Sequence, residues 1–192
     1  MATETYLIVG LGNPGPQYAR TRHNMGWMVV ERLAEGSRLS FDRIQFKARV
    51  AAGTVGDRRV VLAKPLTYMN LSGEAVGPLL RFYKIPLEHF LVVYDEIDLP
   101  FNTLRLRSEG GAGGHRGMRS IIQTLGSQDF ARLRVGVGRP PNGWEAADHV
   151  LAPWTKDEAA LVPALVERAA LAAETWLTEG ILSAMNRFNA NV

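Results

Sequence analysis

The strongest constraint on the fold of this chain is a short apolar segment that runs straight into a glycine-rich turn. Residues 7–15 read "LIVGLGNPG", and the apolar, partly β-branched residues at 6–10 predict a buried strand. Open α/β sheets usually hold their ligands at turns that follow the carboxyl ends of strands. Asn13 lies in this turn, and its amide can both donate and accept hydrogen bonds. The segment therefore indicates a ligand site near Asn13.

The same turn has the glycine spacing of a dinucleotide-binding motif, G-x-G-x-x-G, at Gly10, Gly12 and Gly15. A dinucleotide site also needs a helix that begins within the motif and an acidic residue at the end of a second strand. The proline-containing stretch that follows does not predict such a helix, and Glu31 and Glu35 lie inside a predicted helix. We interpret the spacing as accidental. A nucleotide-dependent oxidoreductase remains an alternative that rests on this spacing alone.

Segments typical of strands alternate with segments typical of helices along the chain. We therefore expect an α/β fold, a single domain over residues 1–192 with a twisted mixed β-sheet flanked by helices on both faces. The segment 139–154 is expected to be a long irregular connection, and Pro163 is expected to kink the helix that contains it. Strands are predicted at 6–10, 50–55, 59–63, 90–94, 103–107 and 131–137. Helices are predicted at 25–35, 73–84, 117–125 and 181–189. A further long helix is predicted to begin at the capping box formed by Thr155 and Glu158.

The composition excludes several classes of site. The chain has no cysteine, which rules out disulfides, thiolate metal sites and cysteine nucleophiles. Its four histidines show no metal-ligand spacing, and His89 and His149 are interpreted as surface residues. No apolar run approaches the ~20 residues that a membrane-spanning helix needs, and the first residues lack the pattern of a signal peptide. We expect a cytoplasmic protein without a metal site.

Arginines are unevenly distributed in a chain whose net charge is only +3. Seven of them fall between Thr103 and Gly143, where only Glu109 and Asp129 oppose them. Guanidinium groups bind phosphate in a forked geometry, so the cluster is consistent with a phosphate-rich partner. Ordinary surface charge explains each arginine taken singly. The seven are Arg105, Arg107, Arg116, Arg119, Arg132, Arg134 and Arg139.

His23 is the best candidate for a general base. It lies just before a predicted helix, whose dipole disfavours a protonated imidazole and leaves a nitrogen able to accept a proton. Asp95 follows the strand at 90–94, at the same sheet edge as Asn13 if the two strands are parallel. Its carboxylate would then accept the far N–H of His23 and stabilise the imidazolium. The alternatives are a structural histidine and an acidic residue of a turn.

Two further stretches carry polar groups that a reaction could use. Asn70 and Ser72 follow a predicted strand, and these residues could stabilise an oxyanion or cap the next helix. Residues 110–117, "GGAGGHRG", carry His115 and lack the Lys-Ser/Thr pair of a Walker loop. This stretch fits either close approach of the backbone to a ligand or simple flexibility. With the histidine–aspartate pair, these groups indicate activation of water to cleave an ester or related bond on a nucleic-acid-bearing substrate.

Six stretches, taken together and in order, resemble the motifs of the bacterial peptidyl-tRNA hydrolase family. A single motif of this kind is weak, but six in the same order with matching spacing are highly specific. They cover residues 7–140, and the C-terminal helices complete the usual length of the family. The six are "LIVGLGNPG", "YARTRHNMGW", "KPLTYMNLSG", "DEIDLP", "GGAGGHRG" and "RLRVGVGRP".

The resemblance implies a monomeric α/β enzyme that needs neither a metal nor an organic cofactor. Such an enzyme hydrolyses the ester between a peptide, or an N-blocked aminoacyl group, and the 3′-terminal ribose of tRNA. Peptidyl-tRNA is then its partner, bound through the acceptor stem and 3′ end. By position, the implied catalytic residues are His23 as base, Asp95 as its orienting carboxylate, Asn13 and Asn70. The implied substrate-binding residues are Tyr18, Met69 and His115. The implied tRNA-binding residues are Arg107 and Arg134.

The chain departs from the family pattern in its glycine-rich stretch. Where the family usually has Gly-His-Asn-Gly, this chain has Arg116 after His115, so the role of that amide is not transferred to it. Arg105 and Arg107 stand where lysine is common, which keeps the charge but changes the contact geometry. A non-catalytic RNA-binding relative on the same scaffold is the main alternative. The retained catalytic set argues against it, because RNA binding alone would not require those residues together.

Overall fold

Parallel strands form the middle of a seven-stranded mixed sheet, ordered β2-β3-β4-β1-β5-β7-β6. The computed structural model describes residues 3–189; residues 1–2 and 190–192, the ends of the predicted domain, lie outside the described residues. The pairs β4–β1, β1–β5 and β5–β7 are parallel, and the remaining pairs are antiparallel. The strands are β1 (Thr5–Gly10), β2 (Arg43–Gln45), β3 (Ala48–Val55), β4 (Arg58–Pro65), β5 (Phe90–Glu96), β6 (Leu104–Arg107) and β7 (Ala131–Gly136).

Six α-helices of the described chain pack on this sheet or extend from its edge. Thr155 and Glu158 form the expected capping box at the start of α5, and that helix continues through Pro163. Short 3-10 helices precede α1, α2 and β5, at Arg22–Asn24, Met69–Leu71 and Leu87–His89. The α-helices are α1 (Met25–Gly36), α2 (Gly73–Tyr83), α3 (Arg116–Leu125), α4 (Ala146–Val150), α5 (Lys156–Glu179) and α6 (Ile181–Phe188).

The two faces of the sheet bury separate apolar cores. Successive strand residues point to opposite faces, so Ile8 of β1 packs with Val29 of α1 and Leu165 of α5. Its neighbour Leu7 packs on the other face with Val76 of α2, in the core that also receives α3. The helices therefore cover both faces, which confirms the predicted α/β fold.

The start of α1 is in direct contact with the ends of β1 and β5. A Cβ atom added at Gly26 would lie 2.3 Å from the backbone nitrogen of Leu11 and from the carbonyl oxygen of Val93. One added at Gly10 would lie 2.1 Å from the carbonyl oxygen of Gly26. Only glycine permits so close an approach of helix to strand. The contact brings the residues just before α1, including His23, to the carboxyl ends of these strands.

Several expectations about local structure are wrong. The segment 139–154 contains α4, and His149 on that helix is 4% exposed rather than on the surface. Its Nε2–H donates to the carbonyl oxygen of Gly138, a long-range contact that the sequence pattern does not encode. His89 is half-buried and stacks on Tyr6. The sequence pattern does not predict strand β2, because it is a short, polar and largely exposed edge strand without alternating apolar residues.

Among residues 3–189, no helix is both long enough and apolar enough to cross a membrane.

Replacement of Gly26 by alanine tests the contact between α1 and the sheet. The added methyl group would meet two backbone atoms, so α1 must shift, and we expect the free energy of unfolding to fall by about 3 kcal/mol. Urea unfolding measures this change. Gly36→Ala in the same helix is the control, because its Cβ would meet only the flexible Arg32 side chain at 3.4 Å. Equal stability of the two variants would contradict the proposed contact.

Candidate active site

A pocket of about 600 Å³ opens where β1 and β5 end. Its lining comes from the turn after β1, the 3-10 helices before α1 and α2, the end of β5, the glycine-rich loop before α3, and α4. Tyr18 does not line this pocket; it lies in the turn after Gly15, to whose carbonyl oxygen its backbone N–H donates. The structure brings together the other predicted catalytic and substrate-binding residues: Asn13, His23, Met69, Asn70, Asp95 and His115.

His23 and Asp95 form a hydrogen-bonded pair in this pocket. Nδ1 of His23 lies 3.0 and 2.9 Å from the two carboxylate oxygens of Asp95. The side chains are 12% and 1% exposed, so the pair is largely shielded from bulk water. An ionised carboxylate only accepts hydrogen bonds, so Nδ1 carries the proton and Nε2 keeps its lone pair. The two residues meet because β1 and β5 are parallel and end at one edge of the sheet.

His115 places a second imidazole on the same carboxylate. Its Nε2 lies 2.9 Å from Oδ1 of Asp95, and its Nδ1 accepts the backbone N–H of Met118 at 3.3 Å. Because Nδ1 accepts a hydrogen bond, the proton of a neutral His115 is on Nε2, the opposite tautomer to that of His23. The family resemblance assigns His115 to substrate binding. The structure adds a contact with Asp95 that the sequence did not reveal.

The neighbouring charges shift the pKa values of His23 and Asp95. Burial alone would lower the pKa of His23, but the charge and hydrogen bond of Asp95 raise it above its ordinary value, against an opposing effect of Arg116. Burial alone would raise the pKa of the Asp95 carboxyl, but the two imidazoles hold it well below its usual range. The pKa of His23 is therefore raised, opposite to the direction expected from the helix dipole, because Asp95 prevails over burial and Arg116.

The cluster of His23, Asp95 and His115 has the composition of a metal site, since one ligand atom from each lies within 4.8 Å of the others. A histidine nitrogen must be unprotonated to bind a metal ion. The lone pair of His115 is on Nδ1, where the N–H of Met118 already uses it, and the nitrogen that faces Asp95 carries a proton. The three side chains are therefore arranged as a hydrogen-bond network.

Asn13 is held in one orientation by a network with Asn24 and Met69. The backbone N–H of Asn13 donates to Oδ1 of Asn24 at 2.8 Å, and Nδ2 of Asn24 donates to the backbone oxygen of Asn13 at 3.0 Å. Oδ1 of Asn13 accepts the backbone N–H of Met69 at 2.7 Å. Its Nδ2 bonds to no group in the part of the chain that the structure describes, and so is available to a ligand. Asn70, by contrast, is exposed at the pocket.

Arg22 holds the segment that carries α4, a role that sequence reasoning missed. Its side chain is 4% exposed, and Nη1 donates to the backbone oxygens of His149 at 3.1 Å and Pro153 at 3.0 Å. Nη2 donates to the carboxylate of Glu158 at 2.6 Å. Since α4 lines the pocket and Arg22 precedes His23, this guanidinium fixes one wall of the pocket relative to the imidazole.

A second pocket, of about 640 Å³, lies on the other side of the glycine-rich loop and contains three arginines. Arg134 donates from Nε and Nη2 to one carboxylate oxygen of Glu96, at 3.0 and 2.8 Å. Arg132 is buried and donates to backbone oxygens, including that of Gly111 at 3.1 Å. Arg107 is exposed and forms no salt bridge within residues 3–189. The predicted tRNA-binding residues Arg107 and Arg134 therefore share one pocket, but only Arg107 has no bound carboxylate.

Comparison with known protein families gives a match over nearly the whole chain. A family model described as peptidyl-tRNA hydrolase matches residues 7–192. The chain belongs to the peptidyl-tRNA hydrolase family. The family resemblance carried by the six motifs is therefore confirmed.

Individual relatives agree with this assignment. A peptidyl-tRNA hydrolase from Roseiflexus sp. (strain RS-1) is 55% identical over 186 residues, which are 96% of this chain and 86% of the relative. Another, from Bacillus cytotoxicus, is 50% identical over 183 residues, or 95% of this chain and 98% of the relative. The crystal structure of the Acinetobacter baumannii peptidyl-tRNA hydrolase superposes with a TM-score of 0.91 at 37% identity, covering 97% of this chain and 95% of that one. A 5′-methylthioadenosine nucleosidase from Arabidopsis thaliana, with a TM-score of 0.57 at 8% identity, shares the fold alone.

Replacement of Asp95 by asparagine tests the electrostatics of the pair. The variant loses the negative charge that raises the pKa of His23 and keeps the burial that lowers it. We therefore expect the pKa of His23 to fall below that of the unmodified protein, which NMR titration of the imidazole measures. Glu96→Gln is the matched control, because it neutralises the adjacent carboxylate, which does not contact His23. A pKa that stays the same in Asp95→Asn, or falls equally in both variants, would contradict the pairing.

Replacement of Arg22 by methionine tests the attachment of α4. The variant loses the buried hydrogen bonds to the backbone and to Glu158, so we expect the free energy of unfolding to fall by about 3 kcal/mol. Hydrogen exchange of residues 146–153 should accelerate more than that of the central strands. Glu158→Gln removes the charge of the ion pair and keeps a side chain that can still cap α5, so it should have a smaller effect on both. Unchanged exchange at 146–153 in Arg22→Met would show that other contacts hold the segment.

Proposed function

We propose that this protein hydrolyses the ester that joins a peptide, or an N-blocked aminoacyl group, to the 3′-terminal ribose of tRNA. The tRNA is thereby released for reuse in translation. The observation that carries the proposal is the His23–Asp95 pair in a pocket beside an arginine-containing one, within a chain of the peptidyl-tRNA hydrolase family. Such a pair can activate water, and guanidinium groups can hold the phosphates of the tRNA.

In the proposed mechanism, His23 is the general base. Its Nε2 accepts a proton from a water molecule, and the water oxygen attacks the carbonyl carbon of the ester. The imidazolium that forms is stabilised by Asp95, whose carboxylate remains ionised 2.9 Å from Nδ1. When the tetrahedral intermediate collapses, the ester bond to the ribose oxygen breaks, and that oxygen takes up the proton held on Nε2 of His23, which restores the neutral base. No step requires a second substrate other than water.

We assign the developing negative charge of the carbonyl oxygen to the amide donors of Asn13 and Asn70. Asn13 is held by Asn24 and by the backbone of Met69, so its Nδ2 needs little reorganisation to donate. Asn70 lies at the exposed side of the same pocket and can donate once substrate covers it. Met69, which is buried there, supplies an apolar contact for the peptide.

We assign tRNA binding to the pocket that contains Arg107 and Arg134. Arg107 is the exposed cation there, and Arg134 can contact phosphate with part of its guanidinium while its hydrogen bonds to Glu96 hold its position. Binding through phosphate contacts should weaken as the salt concentration rises. We further propose that the enzyme acts as a monomer in the cytoplasm.

A non-catalytic RNA-binding protein on the same scaffold is the alternative, and it is not favoured. RNA binding alone does not require a buried carboxylate that orients an imidazole. It also does not require a nearby asparagine whose backbone makes two hydrogen bonds to Asn24 and whose amide oxygen accepts a third from Met69. An oxidoreductase is disfavoured as well. No helix begins within the glycine motif at 10–15; the chain there forms a series of turns before the 3-10 helix at Arg22–Asn24.

Replacement of His23 by alanine should lower the rate of release of an N-acetylaminoacyl group from tRNA by roughly 10²–10⁴-fold, the range that a general base contributes. The assay follows labelled N-acetylaminoacyl-tRNA with purified protein, with and without a chelator of divalent cations. His89→Ala is the control, because His89 lies outside both pockets. We expect the chelator to have no effect. Turnover by His23→Ala close to that of the control would contradict the assignment of the base.

A further inference from the structure

Two charged residues that line the catalytic pocket form no ion pair within residues 3–189; Arg116 is the cation, and the exposed Glu145 is the anion. Asp95 is bound by two imidazoles, and Glu96 is bound by Arg134. Arg116 is exposed and forms no salt bridge with any carboxylate of residues 3–189, so it is a permanent cation without a bound partner at this pocket. The charged and titratable residues of the lining are His23, Asp95, Glu96, His115, Arg116 and Glu145.

The position of Arg116 brings its charge close to the reacting groups. It is the first residue of α3 and follows His115 directly, whose ring bonds to Asp95. Its charge also acts on His23, where it opposes the effect of Asp95 and lowers the pKa of the imidazole. Beside it, Gly113 and Gly114 have positive φ angles, and an added Cβ at either would meet nothing within 4 Å. The wall next to Arg116 is therefore open backbone with space for a ligand.

The substrate of the proposed reaction carries one anionic group close to the ester. The 3′-terminal ribose bears the ester, and its 5′ oxygen bears the phosphate that links the terminal nucleotide to the preceding one. Because ester and phosphate are attached to the same sugar, the phosphate must lie beside the pocket when the ester is within it. A guanidinium donates to phosphate oxygens in a forked geometry that suits this task.

We propose that Arg116 binds the 5′-phosphate of the terminal nucleotide, on the same ribose that carries the scissile ester. The assignment rests on the proposed function and names the substrate group that this residue recognises. It makes Arg116 a specificity-determining residue: it selects esters of a nucleotide over esters of an uncharged alcohol.

The arginines of the second pocket are poorly placed for this phosphate. The glycine-rich loop separates the two pockets, and Gly113 lines both. Arg132 is buried against backbone oxygens, and Arg134 is bonded to Glu96. Arg107 lines only the second pocket, so it can take a phosphate elsewhere on the tRNA.

The test uses two pairs of small molecules. Within each pair, the two members differ only in this phosphate. The first pair is adenosine 5′-monophosphate and adenosine, whose dissociation constants are measured by NMR titration of the imidazole signals of His23 and His115. The second pair is the N-acetylaminoacyl 3′-esters of the same two molecules, for which kcat/KM of hydrolysis is measured. The variants are Arg116→Met, Arg116→Lys, Arg107→Met in the second pocket and, as the matched control, Arg119→Met. Arg119 is exposed on the same helix and lines neither pocket.

We expect the unmodified protein to favour the phosphate-bearing molecule of each pair by about tenfold, the effect of one charge-assisted contact at an exposed site. Arg116→Met should lose this preference, Arg116→Lys should keep part of it, and Arg119→Met should keep all of it. The dissociation constant of adenosine, which lacks the phosphate, should be nearly the same for Arg116→Met as for the unmodified protein.

Three results would overturn the proposal. The first is a preference for phosphate that survives in Arg116→Met and disappears in Arg107→Met, which would place the phosphate in the second pocket. The second is the absence of any preference in the unmodified protein. The third is an equal loss for both members of each pair in Arg116→Met. The binding pair keeps the test independent of catalysis: if neither ester nor N-acetylaminoacyl-tRNA is hydrolysed, the proposed function fails, and the phosphate preference in binding still decides the role of Arg116.

Discussion

The close approach of α1 to the ends of β1 and β5 is the contact on which the site depends. Backbone meets backbone there through Gly10 and Gly26, with no side chain between helix and strands. The 3-10 helix that precedes α1 is thereby brought to the carboxyl edge of the sheet, where His23 meets Asp95. The same short helix carries Arg22, which holds the segment of α4. One packing contact therefore positions both the imidazole and a wall of its pocket.

Asp95 organises the chemistry of the pocket. A buried carboxylate is unfavourable without partners, and here the N–H groups of His23 and His115 supply them. The carboxylate in turn fixes which nitrogen of His23 is protonated and remains beside it when the ring gains a second proton. Arg116 acts in the opposite sense on His23, so the basicity of this imidazole reflects a balance between a bonded carboxylate and a nearby guanidinium. Its pKa is raised because the bonded charge prevails.

The sequence predicts most of the strands and helices, though not β2 or α4, and it predicts the meeting of His23 with Asp95. Apolar periodicity marks the strands, and parallel strands bring their carboxyl ends to one edge, so residues that follow two such strands are expected to meet. The second partner of Asp95, His115, depends on the path of a glycine-rich loop, which has no periodic pattern. The role of Arg22 depends on contacts more than 120 residues away. Arginine clustering indicated a phosphate site, but charge counting could not show that Arg134 is bonded to Glu96 or that Arg132 is buried.

The tautomers of the two imidazoles test the central claim most directly. Nitrogen-15 NMR of the folded protein, at a pH where both rings are neutral, distinguishes protonated from unprotonated ring nitrogens. If Asp95 orients His23 as the general base, His23 carries its proton on Nδ1 and has a free Nε2, while His115 carries its proton on Nε2. A proton on Nε2 of His23 under these conditions would contradict the account, because that nitrogen could not then accept a proton from water.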